Sequence, residues 1–566
     1  MTRAQRASRV IAVVALFAAL CAGPWLAGAQ GVGSPDLILF GGKIFTADST
    51  HAWVEAIAIR GDRITATGTN ELMRALAGPA TRMIDVGGRV VVPGFNDAHD
   101  HVGAARFAMM FTTVESLTPD PTLGQVLDSL RIAAARAPKD TWLRTDIGMR
   151  FLDDPTARRR MLDAAAPRNP VLLWMWTGHD VVLNTAALRA LGIADDARNP
   201  VGGVYERDDT GRLTGRVSEY AAWASLRQLY SLVPDSMIVS SLRRYAADGL
   251  RFGITSVQDM NGYLDPATTV RVMRAARLPI RFRVVPLPMT DVNGRRTTAW
   301  ATVDRHPSPL TVVSGSKWIL DGTPVERLAF MRAPYVDRSG WRGQLDLPED
   351  TIRVILAEAL VSRQPLMLHA VGDSTVRLVL NLMQQLAPDS VWRALRVRIE
   401  HGDGMGAELL PVARRLGVVV VQNPSHFTLG QELIRQRFGS VPADFQPMRS
   451  LLMAGVPLAL GSDGPRNPFI NMMLASTHPM NPAEALTREQ AVTAYTRGSA
   501  WAEFAEGEKG MLVPGMLADV AVLSKDIFMI PAEELPGTVS VLTLVGGETA
   551  YDAGILRTMG RSQPKK

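Results

Sequence analysis

The sequence predicts an α/β chain built around a (β/α)8 barrel, with an inserted subdomain and a small β-sandwich contributed by both termini. Three observations predict it. Apolar strand-like runs alternate with helical patterns through the middle of the chain, as in parallel strand–helix units. These runs end near His101, Val257, Val285, Leu320, His369, Glu400, Gln422 and Gly461, which makes eight. Both ends of the 566-residue chain have an all-β texture unlike that middle. The length accommodates one large barrel and a second module.

The composition is that of a globular protein with a large core, 47% hydrophobic and 20% charged. Its net charge of +6 is modest, and Arg158-Arg159-Arg160 is the longest arginine run. Scattered basic residues of this kind describe a solvated surface and argue against a nucleic-acid partner. At the N-terminus Arg3, Arg6 and Arg9 precede an apolar run from Val10 to Gly23, then Pro24 and the small residues Ala27-Gly28-Ala29. That order predicts a signal peptide over residues 1–29, hence export to the periplasm or the exterior. The apolar run is too short to span a bilayer comfortably, so no stable membrane span is expected after cleavage. Cys21 is the only cysteine. The cleaved chain would have no thiolate chemistry, and any metal must be held by His, carboxylate or a modified Lys.

Taken in order, Asp36–Phe45 reads as a β-hairpin turning at Gly41-Gly42, followed by strands at Ala56–Arg60 and Arg63–Thr67 joined by Gly61-Asp62. These form the first part of the sandwich, residues 35–92. The barrel is expected over 93–505. The gap between His101 and Ile254 is too long for one strand–helix unit, so a subdomain is inserted at about 105–235, capping the barrel mouth. Helical patterns follow at 348–362 and 407–416. Strands at Asp519–Leu523 and Val539–Val545 then build the second part of the sandwich, residues 506–560.

The chemistry begins at Val90-Val91-Val92-Pro93-Gly94-Phe95-Asn96-Asp97-Ala98-His99-Asp100-His101. In an extended strand residues i and i+2 share a face, so His99 and His101 point the same way. Two converging imidazoles can hold one metal ion or serve a structural role, and the pair alone leaves both open. His369, His401 and Asp463 each close an apolar strand. Strand ends in one barrel converge on the same mouth, so their joint occurrence favours a shared site. Lys317 lies inside the fourth apolar run. Burial should lower its pKa, and a neutral amine can take up carbon dioxide to form an anionic carbamate able to bridge two metal ions. An ordinary salt-bridged lysine is the alternative.

The strings PGFNDAHDH, KWILDGT, LHAVGD, RIEHGD and GSDGP resemble the amidohydrolase superfamily, and within it the family 3 group that includes N-substituted formamide deformylases. The resemblance extends through Gly178-His179-Asp180 with Asn184, Gly211–Gly215 with Glu219, Gly253–Val257 with Asp259, Gln422–His426 and Gly510–Gly515. It implies the barrel and the flanking sandwich. It also implies His99 and His101 as ligands of a first metal, Lys317 as a carboxylated bridge, and His369 and His401 as ligands of a second. Asp463 would both touch metal and handle the proton, while His179 and His426 would stabilise the oxyanion or orient substrate. The implied cofactors are two divalent ions, zinc ahead of iron, manganese or nickel, with carbon dioxide bound on Lys317. A single-metal site is a subsidiary option. Asn96, Ala98, Gln258 and Asn423 depart from the family pattern. The expected activity is hydrolysis of a non-peptide C–N bond of a small molecule, amide or formamide, by a metal-bound hydroxide with Asp463 as proton shuttle. Alternatives are a cyclic amide, carbamate or ester substrate, or a non-catalytic binding barrel. A homo-oligomer is compatible with the sequence.

Overall fold

The computed structural model describes residues 33–102, 108–116, 118–296, 300–426, 430–440 and 445–559. The expected leader at 1–29 lies outside them. The core is a run of parallel strands. Phe95–Asp100 pairs with Ile254–Asn261, that strand with Arg281–Pro286, and that one with Thr311–Val313. The fourth strand breaks at Ser314-Gly315 and resumes as Ser316–Ile319. Gly315 has φ +77, and an added Cβ would lie 2.7 Å from the Pro365 carbonyl oxygen, so the bend needs glycine. The order then continues through Leu366–Ala370, Arg398–His401, Val419–Gln422 and Leu458–Leu460. Around the seam, Asp463 N–H donates to the His99 carbonyl at 2.9 Å and Ser462 N–H to Asp97 Oδ1 at 2.9 Å, joining eighth strand to first. This is a TIM-barrel-like α/β fold. The second strand runs on to Asn261, past the end expected at Val257.

Helices between the strands follow their apolar spacing. Glu349–Ser362 buries Ile352, Ile355, Leu356 and Ala359 on one face and has Glu349 and Asp350 in its first turn, which suits the helix dipole. Arg363 ends it in a left-handed conformation.

Between the first and second barrel strands lies a six-stranded sheet. Its order is Gly203–Arg207, Leu213–Glu219, Asp180–Leu183, Val171–Met175, Leu143–Ile147 and Met109–Met110. Helix Leu123–Arg136 packs on it with Val126, Leu130 and Ala134, and Thr122 with Gln125 forms a capping box at its start.

Residues from both ends of the chain form two further sheets. One runs Arg557–Met559, Arg82–Asp85, Leu37–Phe40, Ala56–Arg60, Arg63–Gly68, and the other runs Glu548–Asp552, Ser540–Val545, Val520–Leu523, Val90–Pro93, Lys43–Phe45, Trp53–Val54. They share one core, in which Leu37, Ile57 and Ile84 meet Ile44, Val91 and Val522. The hairpin expected at Asp36–Phe45 does not form. Leu37–Phe40 pairs with Ala56–Arg60 and Arg82–Asp85, whereas Lys43–Phe45 pairs with Val90–Pro93 and Trp53–Val54 in the other sheet. Gly41-Gly42 carries the chain between sheets instead of folding it back. No helix among the described residues is long and apolar enough to cross a membrane.

Candidate metal centre

The C-terminal ends of the barrel strands bring the expected residues together. His99 and His101 stand on the first strand and its exit, Lys317 on the fourth, His369 on the fifth, His401 on the sixth, and Asp463 just beyond the eighth. Lys317 Nζ lies 2.8 Å from His99 Nε2 and 3.5 Å from His101 Nε2. Asp463 is the hub. Its carboxylate lies 3.7 Å from His99 Nε2, 3.5 Å from His101 Nε2, 3.9 Å from His401 Nε2 and 3.0 Å from His426 Nε2. The His369 ring sits 4.4 Å, centre to centre, from that of His401, and the His179 ring 5.2 Å from that of His369.

Among the described residues, two groups of donor atoms are close enough to hold a cation, His99–His101–Asp463 and His401–His426–Asp463, with the atoms of each group within 4.8 Å of one another. His426, for which the resemblance implies oxyanion stabilisation or substrate orientation, thus also offers a nitrogen to the second group. The electrostatics suit a metal. Burial, then the charge of Lys317, lowers His99, and the same two causes push His101 to about 3. Burial, reinforced by neighbouring imidazoles, holds His369 and His401 well below the usual histidine value. Neutral imidazoles with free lone pairs are what a divalent ion requires, and buried His369 Nε2 has no hydrogen-bond partner. Burial lowers Lys317 to about 8. Burial alone would raise Asp463, but His99, His426 and His101 more than offset it and hold the carboxyl well below its ordinary value.

His401 and Asp463 have φ of +69 and +40. Left-handed backbone at a non-glycine residue costs about 1–3 kcal/mol, and such strain persists where surrounding structure imposes it, commonly at functional sites.

Two residues that orient this site, Glu400 and Arg398, were not singled out from sequence. Glu400 Oε2 lies 2.6 Å from His99 Nδ1, and Arg398 grips the same carboxylate at 2.8 and 2.9 Å. Burial would raise Glu400, but Arg398 and then His99 outweigh it and set it at about 2. Asn423 Oδ1 lies 2.9 Å from His401 Nδ1. The departures from the family pattern find partners here. Asn423 orients a histidine, Gln258 bonds Arg398 and the Ser499 carbonyl, and Asn96 bonds Glu503 at 2.6 Å. The cavity above the centre encloses about 740 Å³, walled by Trp174, Trp176, Trp223 and Tyr263, with Arg466 and Asn467 at its edge.

The sequence profile of the amidohydrolase family matches residues 82–551. The chain belongs to the amidohydrolase family. Among curated relatives, this amidohydrolase is 27% identical to N-substituted formamide deformylase of Arthrobacter pascens, covering 91% of this chain and 98% of that one. It is 25% identical to Protein LONG AFTER FAR-RED 3 of Arabidopsis thaliana, covering 91% of each. Among solved structures, it superposes on an uncharacterized metal-dependent hydrolase from Pyrococcus horikoshii OT3 with a TM-score of 0.68 at 19% identity, covering 88% of this chain and 99% of that one. Membership and the cluster together make the amidohydrolase a hydrolytic enzyme with candidate metal-binding residues.

Proposed function

We propose that this amidohydrolase hydrolyses a non-peptide C–N bond, an amide or formamide, in a small molecule bound at the barrel mouth. The observation that carries the reading is one carboxylate, Asp463, within reach of His99, His101, His401 and His426 beside the buried amine of Lys317. The likeness to a formamide deformylase supports amide over ester substrates. His99, His101, Lys317, His369, His401 and Asp463 would hold two divalent cations, zinc ahead of iron, manganese or nickel, given the nitrogen and carboxylate donors. Bound there, such cations acidify a water and polarise the scissile carbonyl. Lys317, at about 8, is partly neutral near pH 7 and suited to carry a carbamate. Asp463 takes the water proton and delivers it to the leaving nitrogen, with His426 holding its Oδ2 at 3.0 Å. His179 faces the oxyanion from the inserted sheet, and the tryptophan walls exclude water around it. In this reading the six-stranded sheet is an inserted cap, the two terminal sheets are a sandwich bracing the barrel, and residues 1–29 are a cleaved export leader.

The test is a panel of N-substituted formamides, simple amides, cyclic amides, carbamates and esters, read by product release. Turnover of the formamide or amide arm should be abolished by chelation and by His369→Ala. Activity that survives both treatments, or turnover confined to esters, overturns the reading.

A further inference from the structure

Behind His179 lies a buried group of carboxyls that the reaction as described does not use: Glu219, Asp346, Asp180, Glu326 and Asp321, all buried. Most are accounted for. Asp180 accepts from Arg216 Nε and Nη2 at 3.0 and 3.1 Å and from Ser218. Glu326 accepts from the Thr177 and Thr323 hydroxyls. Asp321 accepts from the N–H groups of Val371, Gly372 and Phe330 and from Thr375. Glu219 and Asp346 remain. Their carboxyls lie against each other, and Glu219 Oε1 and Asp346 Oδ2 have no hydrogen-bond partner. Two adjacent buried carboxylates are costly unless a proton or a cation offsets one of the charges.

Glu219 is fastened to His179 twice. Its N–H donates to the His179 carbonyl at 2.8 Å, and its Oε2 lies 2.8 Å from His179 Nδ1. Holding it there takes a strained backbone, φ +53 and ψ −131, at the junction of strand Leu213–Glu219 and helix Tyr220–Ser231. The opposing wall is cut back to admit it, since a Cβ on Gly322 would lie 2.6 Å from Glu219 Oε1. Trp223 closes the other side, its ring edge-on to the imidazole at 5.6 Å. With Nδ1 engaged behind, Nε2 is the nitrogen turned to the cavity that His179 lines with Lys317 and His369.

We propose that Glu219 and Asp346 are positioning residues that act on substrate through His179, fixing its Nδ1–H and aiming its Nε2 at the reacting carbonyl, with one shared proton leaving a single negative charge behind the ring. The inference rests on the hydrolase reading for its kinetic consequence but not for its geometry. The surrounding charges, Asp180, Arg216, Glu326 and Asp321, are the groups that set the field in which the pair holds its proton.

Two measurements on the full-length, metal-loaded protein test it. With 4-nitroformanilide as probe, Glu219→Gln should lower kcat about 10–100-fold and displace the pH–rate profile, with KM within about twofold. Asp346→Asn, whose amide can still donate to Glu219, should lose less than about threefold, whereas Asp346→Leu, which cannot, should lose more than about tenfold. Unchanged kcat and pH profile in Glu219→Gln, or Asp346→Asn losing as much as Asp346→Leu, overturns the proposal. The second measurement needs no turnover. In protein carrying 15N-histidine, the His179 signals, assigned by their loss in His179→Gln, should show a protonated Nδ1 with a low-field N–H proton that moves upfield in Glu219→Gln. An unprotonated Nδ1 in the parent protein overturns the geometry even if no substrate is ever turned over, and a protonated one sustains it.

Discussion

Glu400 and Asn423 do not touch the reacting atoms in the proposed reaction, yet they decide which nitrogen His99 and His401 present. An imidazole whose Nδ1 is engaged by a buried acceptor offers Nε2, and such partners commonly contribute 10–100-fold to metal affinity. Glu400→Gln should therefore weaken metal binding by about that factor in a chelator competition, while His101, which has no such partner on Nδ1, is unaffected by the change. Apart from Lys317, which lies inside its run, the ligand-type residues were legible in the sequence because each stands where an apolar run ends, where a polar residue has no reason to be buried unless it is used. Glu400 was not, because its partner lies on the first strand, some 300 positions away, and only the closed barrel brings the two together. Asn423 looked like a departure from pattern. In the structure it is the acceptor that fixes His401.

Elements meet at this site with little tolerance. A Cβ on Gly461 would lie 2.6 Å from both the backbone nitrogen and Cβ of His99. Gly461→Ala should thus force the eighth strand away from the first at the seam, costing about 1–3 kcal/mol in denaturant unfolding, and lowering metal affinity with it. A second junction joins the loop after the fourth strand to helix Gln431–Phe438. Arg437 on helix Gln431–Phe438 and Arg327 in the loop after the fourth strand both hold Asp337 Oδ2, at 2.6 and 2.9 Å. Burial would raise Asp337, but the two arginines outweigh it and depress its pKa. A depressed carboxyl stabilises the fold above its unfolded pKa near 3.8 and ceases to as pH falls through the folded value. The stability gap between the parent protein and Asp337→Asn should be widest near neutral pH and narrow below about pH 4, read by urea midpoints across pH. Most elements were readable from period and turn residues. The failed hairpin at Gly41-Gly42 was not, because a two-residue glycine turn is equally able to fold a strand back or to pass it to a facing sheet. What chose between them was pairing with Arg82–Asp85 and Val90–Pro93, later in the chain.

Across the whole molecule, the centre draws its candidate ligands from the first, fourth, fifth and sixth strands and from the turn after the eighth, so in the proposed reading occupancy and folding are linked. A ligand that binds only the folded state stabilises it by about 2.7 kcal/mol at 100 times its Kd. Chelation should lower the Tm by a few degrees, restored by adding zinc or manganese back, and His369→Ala should shrink that response in differential scanning calorimetry. The number of barrel strands was legible because parallel strands, covered on both faces, read as continuous apolar runs. The inside of this barrel was not. Arg398, Gln258 and Arg283 form a buried polar column below the candidate metal centre, and sequence period cannot tell an inward polar residue from an outward one.

The strand Val90–Pro93 lies between Lys43–Phe45 and Val520–Leu523 in its sheet and leads directly into the first barrel strand. Of its two neighbours, Lys43–Phe45 precedes it closely along the chain, whereas Val520–Leu523 follows only after the entire barrel. Until residues 520–523 arrive, the strand that carries the chain toward His99 has an open edge, able to pair with another nascent chain. Biosynthesis therefore has a vulnerable interval that spans synthesis of the barrel, and it ends only when Val520–Leu523 pairs with Val90–Pro93.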